Sequence, residues 1–296
     1  MRMRVPVRQR WRREAPPDRC SNRREIAVQI AGKVFVVTGG GSGIGREAVR
    51  GLIERGADVA AVDRSEEGLA ETAHFAAAAG GRLSAHALDV SDRAAVERLP
   101  AEVQAVHGQV DGVLNVAGII QRFVRVQDLG HDEIEKVMAV NFWGVVNMVK
   151  AFLPVLLERP EASLVNVSSM GALVPVPGQA AYGASKAAVK LLTEGLYAEL
   201  RGSSVAVTIV FPGGVATNLL ANSGAGTPAG VAASAGADSK ATSAADAGGQ
   251  IITAVEKGTY RVRIGGDARL LDRLSRLAPQ RATTLIADRM RSLLDS

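Results

Sequence analysis

The 296-residue sequence contains a single cysteine and four histidines, and both shortages exclude classes of protein. Cys20 has no second cysteine to pair with, so no intramolecular disulfide can form, and we predict a cytoplasmic protein. The histidines His74, His86 and His107 are scattered without the cysteine or acid spacing of a zinc site. His131 precedes two acids, which is typical of a helix start rather than of a metal ligand. We therefore predict no metal.

Aromatic residues are also few, at 4% of the chain, and no run of aromatics and cations is present on which bases could stack. Long hydrophobic runs are missing as well. The uncharged stretches 162–185 and 202–237 are long enough to cross a membrane, but both are too rich in Ser, Asn, Pro and Gly for a spanning helix. The content of 47% hydrophobic and 22% charged residues is that of an ordinary soluble globule. We expect neither nucleic acid nor a membrane as a partner.

The net charge of +5 and the isoelectric point near 9.6 come from one end of the chain. Residues 1–30 hold nine arginines and three acids, a net charge of +6, which leaves −1 for residues 31–296. This basic tail has no apolar periodicity, so we expect it to be disordered. Arginine-rich N-termini also occur in mitochondrial transit peptides and in RNA-binding arms. We favour a simpler interpretation, an over-extended start, with the natural chain beginning near Val28.

Residues 31–296 alternate between short apolar strands and helical patterns. Strands such as 34–37 are apolar throughout, which is typical of a parallel sheet covered on both faces. Repeated β–α–β units predict a single α/β domain of the Rossmann type, a doubly wound parallel sheet with helices on both faces. The predicted strands are 33–38, 58–63, 83–89, 112–116, 163–168, 205–211 and 261–264. The predicted helices are 46–55, 66–79, 94–107, 131–158, 182–200 and 244–257.

Two further segments lie outside this alternation. Residues 221–249 are almost wholly Ala, Gly, Ser, Thr and Asp, so we predict a mobile insertion that contributes no core. Residues 218–245 are assigned as a lid over the substrate. The apolar pattern of residues 266–296 predicts a C-terminal extension of two amphipathic helices, 267–278 and 280–294. We expect the apolar stripe to pack on the domain or on a sister subunit.

The first predicted strand leads into a glycine-rich turn that is followed by a helix. Its spacing fails the pattern G-x-G-x-x-G but fits T-G-x-x-x-G-x-G. Glycines at such a turn let the backbone approach a pyrophosphate, which binds at the N-terminus of the helix. This favours a dinucleotide site, with a purely structural turn as the alternative. The predicted contacts in the turn are Thr38, Gly39, Ser42, Gly43, Ile44 and Gly45.

Asp63 closes the second strand, 18 residues beyond the last glycine of the turn. An acid there accepts hydrogen bonds from the ribose hydroxyls of the adenosine, and its charge repels a 2′-phosphate. The sequence therefore favours NAD over NADP. Arg64 complicates this preference, because an arginine can accommodate that phosphate. Asp89 closes the third strand and could face the adenine, with a helix N-cap ahead of Asp92 as the alternative.

Tyr182 and Lys186 lie four residues apart on a predicted helix and so share one face. A free phenol has a pKa near ~10, too high for acid–base work at neutral pH. An ammonium beside the phenol stabilises the phenolate and is expected to lower that pKa. Ser169 follows a strand at the carboxyl edge of the sheet, where its hydroxyl can hydrogen-bond a substrate carbonyl and the developing alkoxide. Such a Tyr–Lys pair is common on surface helices, so it indicates function only together with the serine and the glycine turn.

Together these motifs resemble the compact branch of the short-chain dehydrogenase/reductase family over about residues 31–265. The glycine turn matches the cofactor loop of the family. Residues 115–118 match its Asn-Asn-Ala-Gly element except that Val116 replaces the second asparagine, and residues 212–217 match its Pro-Gly segment. Beyond the glycine turn, the full set of predicted cofactor contacts is Asp63, Arg64, Asp89, Val90, Asn115, Ala117, Gly118, Tyr182, Lys186, Pro212, Gly213, Val215 and Thr217.

The resemblance implies four catalytic residues, Asn141, Ser169, Tyr182 and Lys186. Tyr182 would exchange a proton with the substrate oxygen while a hydride moves to or from the nicotinamide, and Ser169 would hold that oxygen. Lys186 would bind the nicotinamide ribose and, with Asn141 and a water, would carry the proton to solvent.

The resemblance therefore implies an NAD(H)-dependent oxidoreductase that interconverts a secondary alcohol and a ketone, with a small-molecule alcohol or carbonyl compound as substrate. It also implies a homo-oligomer, a tetramer or a dimer, assembled through helices 131–158 and 182–200.

Two other functions stay open, a non-catalytic dinucleotide-binding sensor or scaffold and a nucleic-acid binder that acts through the tail. The four catalytic residues argue against a pure binder. The sequence does not specify the substrate.

Overall fold

The computed structural model describes residues 27–78, 80–217, 219–225 and 241–290. Most of the predicted tail and of the predicted lid lies outside these described residues. Near the first described residue, Val28 and Ile30 are only 1% and 4% exposed, and they pack in the core cluster that contains Phe35 and Leu52. The folded domain therefore begins before the predicted boundary at residue 31, because two apolar side chains of the segment assigned to the tail complete the core.

The strands within the described residues are β1 (Val34–Thr38), β2 (Asp58–Asp63), β3 (Leu83–Ala87), β4 (Gly112–Asn115), β5 (Ala162–Val167), β6 (Val205–Pro212), β7 (Val215–Ala216), β8 (Thr242–Ser243) and β9 (Arg261–Ile264). Seven of them form one parallel sheet in the order β3-β2-β1-β4-β5-β6-β9, and β7 pairs with β8 apart from it. The predicted doubly wound sheet is confirmed. Its direction of winding reverses between β1 and β4, and such switch points bind ligands at the carboxyl ends of the strands.

The helices are α1 (Gly43–Ile53), α2 (Glu66–Ala78), α3 (Arg93–His107), α4 (His131–Met138), α5 (Gly144–Leu157), α6 (Ala180–Glu199), α7 (Leu219–Ser223), α8 (Ala244–Lys257), α9 (Gly266–Leu277) and α10 (Pro279–Arg289). One core cluster joins the sheet to α1, α2 and α8, and a second joins it to α3, α5 and α6. The sheet is therefore covered on both faces, which explains why its central strands are buried at every position and mostly apolar.

One helical stretch of the described residues, His131–Leu157, is long and apolar enough to cross a membrane by length and composition alone. Its side chains Met148, Phe152 and Leu156 are buried in the cluster that contains Leu164 of β5. One face of this stretch thus packs against the sheet.

The predicted helix 244–257 is confirmed as α8. The prediction that residues 221–249 contribute no core is wrong for residues 244–249, which begin this helix. Ala247 is fully buried, and a Cβ added to Gly248 would lie 2.9 Å from the carbonyl carbon of Glu47 in α1. The small residues there allow two helices to pack closely. Residues 226–240 lie outside the described residues, so the insertion and the lid remain predictions.

The neighbouring glycines of α8 predict opposite effects of the same substitution. We expect Gly248→Ala to destabilise the protein by about 2 kcal/mol, because the backbone of α1 must shift. Gly249→Ala should stabilise it by up to about 1 kcal/mol, since nothing lies within 4 Å of the added Cβ and alanine favours the helix. Chemical denaturation of both variants measures these changes. Equal changes in the free energy of unfolding would contradict the close α1–α8 contact.

The predicted C-terminal helices are present as α9 and α10. They form a third apolar cluster with Val174 and with the segment that follows Ser169. Asp272 of α9 is buried and pairs with Arg261 at 2.9 Å and with Arg263 at 3.0 Å, both on the edge strand β9. The extension is therefore attached to the sheet edge and covers the chain beside Ser169.

Candidate active site

A cleft opens at the carboxyl edge of the sheet, at the switch point between β1 and β4. Its walls are the segments that follow the first six strands, together with α7. Most of the predicted site residues line it, although they come from six separate parts of the chain. These are Gly39, Ser42, Gly43, Ile44, Gly45, Asp63, Arg64, Asp89, Val90, Ala117, Gly118, Ser169, Tyr182, Lys186, Pro212, Gly213, Val215 and Thr217.

The glycine turn folds back on itself at the end of β1. Gly39 has a φ of +72°, a left-handed conformation that favours glycine, and it lies against the backbone of Ala117. A Cβ added to Gly45 would lie 2.0 Å from the carbonyl oxygen of Gly39. The helix begins at Gly43, three residues before the predicted start at Arg46, because its first turn is built from these glycines.

The N-terminus of α1 offers the cleft a set of backbone donors. Ser42 occupies the N-cap position without a side-chain cap, and the first turn carries no acid. The first N–H groups of a helix have no acceptor within the helix and carry partial positive charge. Gly43 and Ile44 line the cleft at this point. A pyrophosphate fits such a site, because it supplies the negative charge and the acceptors that the helix lacks.

The Asp63 carboxylate is held at the end of β2 by two backbone donors. It accepts from the N–H of Gly41 at 3.0 Å and from the N–H of Ser65 at 3.0 Å. A Cβ on Gly41 would approach the carboxyl carbon to 3.0 Å, so the small residue keeps the turn and the acid together. The acid is fixed beside the glycine turn, as a ribose-binding residue needs to be.

The side chain of Arg64, the residue after Asp63, extends to α7. Its guanidinium donates to the backbone oxygen of Asn222 in α7, at 2.5 Å, and the Asn222 amide donates to the hydroxyl of Ser42 at 3.0 Å. On the other side of α7, the Ser223 hydroxyl accepts from the N–H of Ile120 at 3.0 Å. These contacts hold α7 across the cleft. No motif in the sequence indicated this short helix.

The two acids after β3 have different roles. Asp92 is the N-cap of α3, and its side chain accepts from the N–H of Ala95 at 3.1 Å. Asp89 instead accepts from the N–H and the hydroxyl of Ser91, at 2.8 and 2.7 Å, and faces the cleft. The helix cap is therefore Asp92, and Asp89 lies where an adenine contact was predicted.

Three predicted site residues lie behind the wall of the cleft. The buried Thr38 hydroxyl accepts from the N–H groups of Val116 and Ala117, at 3.1 and 3.2 Å. The buried Asn115 amide donates to Asn166 on the next strand at 2.8 Å. These two do not line the cleft as the sequence predicted, because their side chains point back to join neighbouring strands. The third is Asn141.

Asn141 lies in a π-helical turn, Ala139–Trp143, that joins α4 to α5 where one regular helix was predicted. Its side chain is fully buried and holds Ile119 from both sides, accepting from the N–H at 2.8 Å and donating to the C=O at 2.9 Å. The amide also donates to the hydroxyl of Ser185 at 2.9 Å. Such π-turns are frequent at functional sites. The turn here aims a helical asparagine at the loop after β4.

Lys186 is buried at the floor of the cleft, where its ammonium donates to the carbonyl of Val167 at 3.1 Å. A Cβ added to Gly118 would lie 3.0 Å from the Lys186 Nζ and 3.2 Å from the Asn141 Oδ1. The glycine therefore lets both side chains approach the same point. Burial lowers the pKa of Lys186 from its ordinary value of 10.5 to about 8.

This pKa predicts a pH dependence of stability. The unfolded chain keeps the Lys186 proton up to about pH 10.5, whereas the folded chain releases it near pH 8. Between these values the unfolded state binds more protons, so raising the pH stabilises the folded state. Relative to Lys186→Met, we expect the free energy of unfolding of the wild type to rise by about 3 kcal/mol across that window. Urea denaturation from pH 7.5 to 10.5 measures it, and a constant difference would contradict the buried cation.

Tyr182 and Ser169 lie beside this lysine in the cleft. Burial raises the pKa of the Tyr182 phenol, and a hydrogen bond with Ser169 acts in the opposite sense. The predicted lowering of this pKa by Lys186 is wrong, because desolvation dominates and the ammonium donates to the carbonyl of Val167. The Ser169 hydroxyl accepts from the N–H of Gly171 at 3.0 Å, which leaves its own proton for the phenol or for a ligand.

Comparison with known proteins agrees with this geometry. Residues 33–227, more than half of the chain, match the family model described as short chain dehydrogenase. The chain belongs to the short-chain dehydrogenase family. SadH of Mycobacterium tuberculosis, which carries the provisional description of oxidoreductase, is 38% identical over 261 residues, 86% of this chain and 94% of its own.

Solved structures of short-chain dehydrogenases share the fold. An enzyme from Burkholderia phymatum, in complex with NAD, is 27% identical with a TM-score of 0.78, over 86% of this chain and 97% of its own. An NAD⁺-bound xylitol dehydrogenase is 26% identical with a TM-score of 0.71, over 81% of this chain and 100% of its own. The protein is thus an oxidoreductase with the fold of its family.

Several residues of this short-chain dehydrogenase line the cleft without having been predicted from sequence. Most are apolar side chains at the ends of strands or next to a predicted residue. Their position at the edge of the sheet was the only feature of the sequence that could have predicted them as lining residues. Asn222 and Leu219 lie on α7, inside the segment 218–245 that was predicted as a lid, although no motif singled them out as contacts. The full set is Val62, Leu88, Val116, Ile119, Val140, Val167, Ser168, Leu219 and Asn222.

Proposed function

We propose that this protein is an NAD(H)-dependent short-chain alcohol dehydrogenase or ketone reductase, in which Tyr182 is the general acid and base. The observation that carries the proposal is the meeting of Ser169, Tyr182 and Lys186 at the floor of one glycine-lined cleft. The NAD bound to the Burkholderia enzyme and to the xylitol dehydrogenase supports the same cofactor here.

The cofactor would be held by backbone donors and carboxylates that line the cleft. The uncapped N-terminus of α1 would bind the pyrophosphate, and Asp63 would accept from the adenosine ribose. Asp89 and Val90 would contact the adenine, and the loops 115–118 and 212–217 would enclose the nicotinamide end. When bound, NAD supplies the acceptor or donor of a hydride.

The residues of the chain would handle the proton and the oxygen of the substrate. In oxidation Tyr182 takes the proton of the alcohol, and in reduction it gives that proton to the carbonyl oxygen. Ser169 donates a hydrogen bond to the same oxygen as negative charge develops on it. Lys186, whose pKa is about 8, would bind the ribose hydroxyls of the nicotinamide half and, with Asn141 and a water, would carry the proton to solvent.

A panel of secondary alcohols and ketones, followed by NADH absorbance with NADP(H) in parallel, tests the proposal. We expect turnover of at least one alcohol–ketone pair, with a higher kcat/KM for NAD(H). Tight NADH binding without turnover of any compound would favour the alternative, a dinucleotide-binding sensor or scaffold.

Removing the Asp63 carboxylate should change the choice of cofactor. We expect Asp63→Ala to raise the ratio of kcat/KM for NADP to that for NAD by about 10-fold or more, because a charge facing the 2′-phosphate is lost. Asp92→Ala is the matched control, since Asp92 caps α3 and does not line the cleft. An unchanged ratio in Asp63→Ala would argue against the assigned role.

We also propose a homo-oligomer assembled through α4, α5 and α6. Large apolar side chains are exposed along these helices, namely Trp143 between α4 and α5, Leu157 at the end of α5, and Leu191 and Tyr197 on α6. Light scattering of the purified protein would give the number of subunits. The cytoplasmic location and the role of residues 218–245 as a lid stay predictions.

A further inference from the structure

Tyr182 lies in the first turn of α6, where a backbone N–H has no acceptor within the helix. The N-cap residue Gln179 offers no side-chain cap. The N–H of Tyr182 instead donates to the side-chain oxygen of Gln121 at 2.8 Å, a residue 61 positions earlier in the chain. Gln121 is 1% exposed and has no assigned role in the reaction.

Gln121 is fixed by two further hydrogen bonds to the same part of the chain. The side-chain nitrogen of Gln121 donates to the backbone carbonyl of Gly178 at 3.1 Å. The backbone carbonyl of Gln121 accepts from the side-chain amide of Gln179 at 2.8 Å. Gln179 is 4% exposed. The loop after β4 is therefore attached to the start of α6 by three hydrogen bonds. They involve two buried glutamine side chains, whose polar groups are costly to leave without a partner.

The same loop also carries the other half of the site. Ile119, two residues before Gln121, is held on both its N–H and its C=O by Asn141. Gly118 allows Lys186 and Asn141 to approach each other, as described above. One four-residue segment, 118–121, thus connects the lysine, the asparagine and the backbone of the tyrosine.

We infer that Gln121 is a positioning residue for the reaction. Its side chain sets the first turn of α6 against the loop after β4, and so places the Tyr182 phenol relative to Ser169 and Lys186. The inference rests on the proposed function, because it matters for catalysis only if Tyr182 transfers the proton. Gln121 does not line the cleft and need not touch the substrate.

Three variants separate this role from general support of the loop. Gln121→Met keeps the shape of the side chain and removes both of its hydrogen bonds. Gln121→Glu keeps an acceptor for the Tyr182 N–H in either protonation state. Gln179→Met removes the hydrogen bond from the Gln179 side chain to the Gln121 backbone. The Gln179 side chain is buried like that of Gln121 but makes no bond to Tyr182, so this variant is the matched control.

Two measurements are made on the full chain of each variant. Hydrogen–deuterium exchange resolved to the Tyr182 amide reports the bond itself and requires no activity. Steady-state kinetics report kcat and the KM for NADH. We expect Gln121→Met to lose the amide protection and to lower kcat by about 10- to 100-fold, with less than about a twofold change in the NADH KM. Gln121→Glu should recover both protection and kcat to within about threefold, and Gln179→Met should retain both.

Rapid exchange of the Tyr182 amide in the wild type would overturn the inference, and this arm needs no variant to fold. A normal kcat in Gln121→Met despite the lost protection would also overturn it, as would an equal fall of kcat in Gln179→Met. If the wild type turns over no alcohol or ketone while the exchange pattern is as expected, the proposed function fails and the Gln121–Tyr182 bond stands.

Discussion

Tyr182→Phe is expected to lower kcat by about 10³-fold while NADH binds as well as to the wild type. In the proposed mechanism the phenol hydroxyl exchanges a proton with the substrate oxygen that Ser169 holds, whereas the ring contributes packing that phenylalanine keeps. Stopped-flow or steady-state assays at saturating substrate give kcat, and quenching of NADH fluorescence gives the Kd.

Tyr197→Phe is a suitable control, because Tyr197 lies on the same helix, is partly exposed and stacks on Tyr260 with ring centroids 4.0 Å apart. It should retain full activity. If Tyr182→Phe kept more than a tenth of the wild-type kcat, the proton would have to come from another group, and the proposed mechanism would fail.

Gly45→Ala is expected to have the largest effect on the cofactor site. The added Cβ would lie 2.0 Å from the Gly39 carbonyl oxygen, so the turn and the first turn of α1 must separate. We expect a loss of about 3 kcal/mol in the free energy of unfolding. The Kd for NADH should rise by about 10-fold or more, because displaced backbone donors no longer converge on one point.

Urea denaturation and NADH titration measure the two effects separately. Gly249→Ala supplies the comparison, since it adds the same methyl group in a helix with open space around it and should leave NADH binding unchanged. Normal NADH binding by a folded Gly45→Ala protein would show that the turn does not hold the cofactor.

The sequence predicts most of this site because its motifs depend on local geometry. The spacing of Gly39, Gly43 and Gly45, the four-residue step from Tyr182 to Lys186, and the position of Ser169 after a strand can all be read along the chain. A parallel sheet then brings strand ends to one edge, so these local signals are enough to predict that the residues meet.

Contacts between distant parts of the chain could not be read in this way. The π-turn at Asn141, the side-chain donors that hold α7, and the acceptor that Gln121 gives to Tyr182 all depend on which segments become neighbours. The helix 244–257 was predicted from its pattern, but its first residues were also assigned by composition to an insertion without core, whereas Ala247 and Gly248 are small because α1 packs there. Burial reverses the expected direction of the Tyr182 pKa for the same reason.

The sequence by itself therefore determined the fold, the place of the cleft and the identity of most of the groups that face it, since periodicity, turn chemistry and helical spacing are properties of short segments. Only the tertiary structure decided which side chains are desolvated and which hydrogen bonds hold the reactive groups. Those depend on the packing of segments far apart in the chain, and this packing fixes the electrostatic environment of Tyr182 and Lys186.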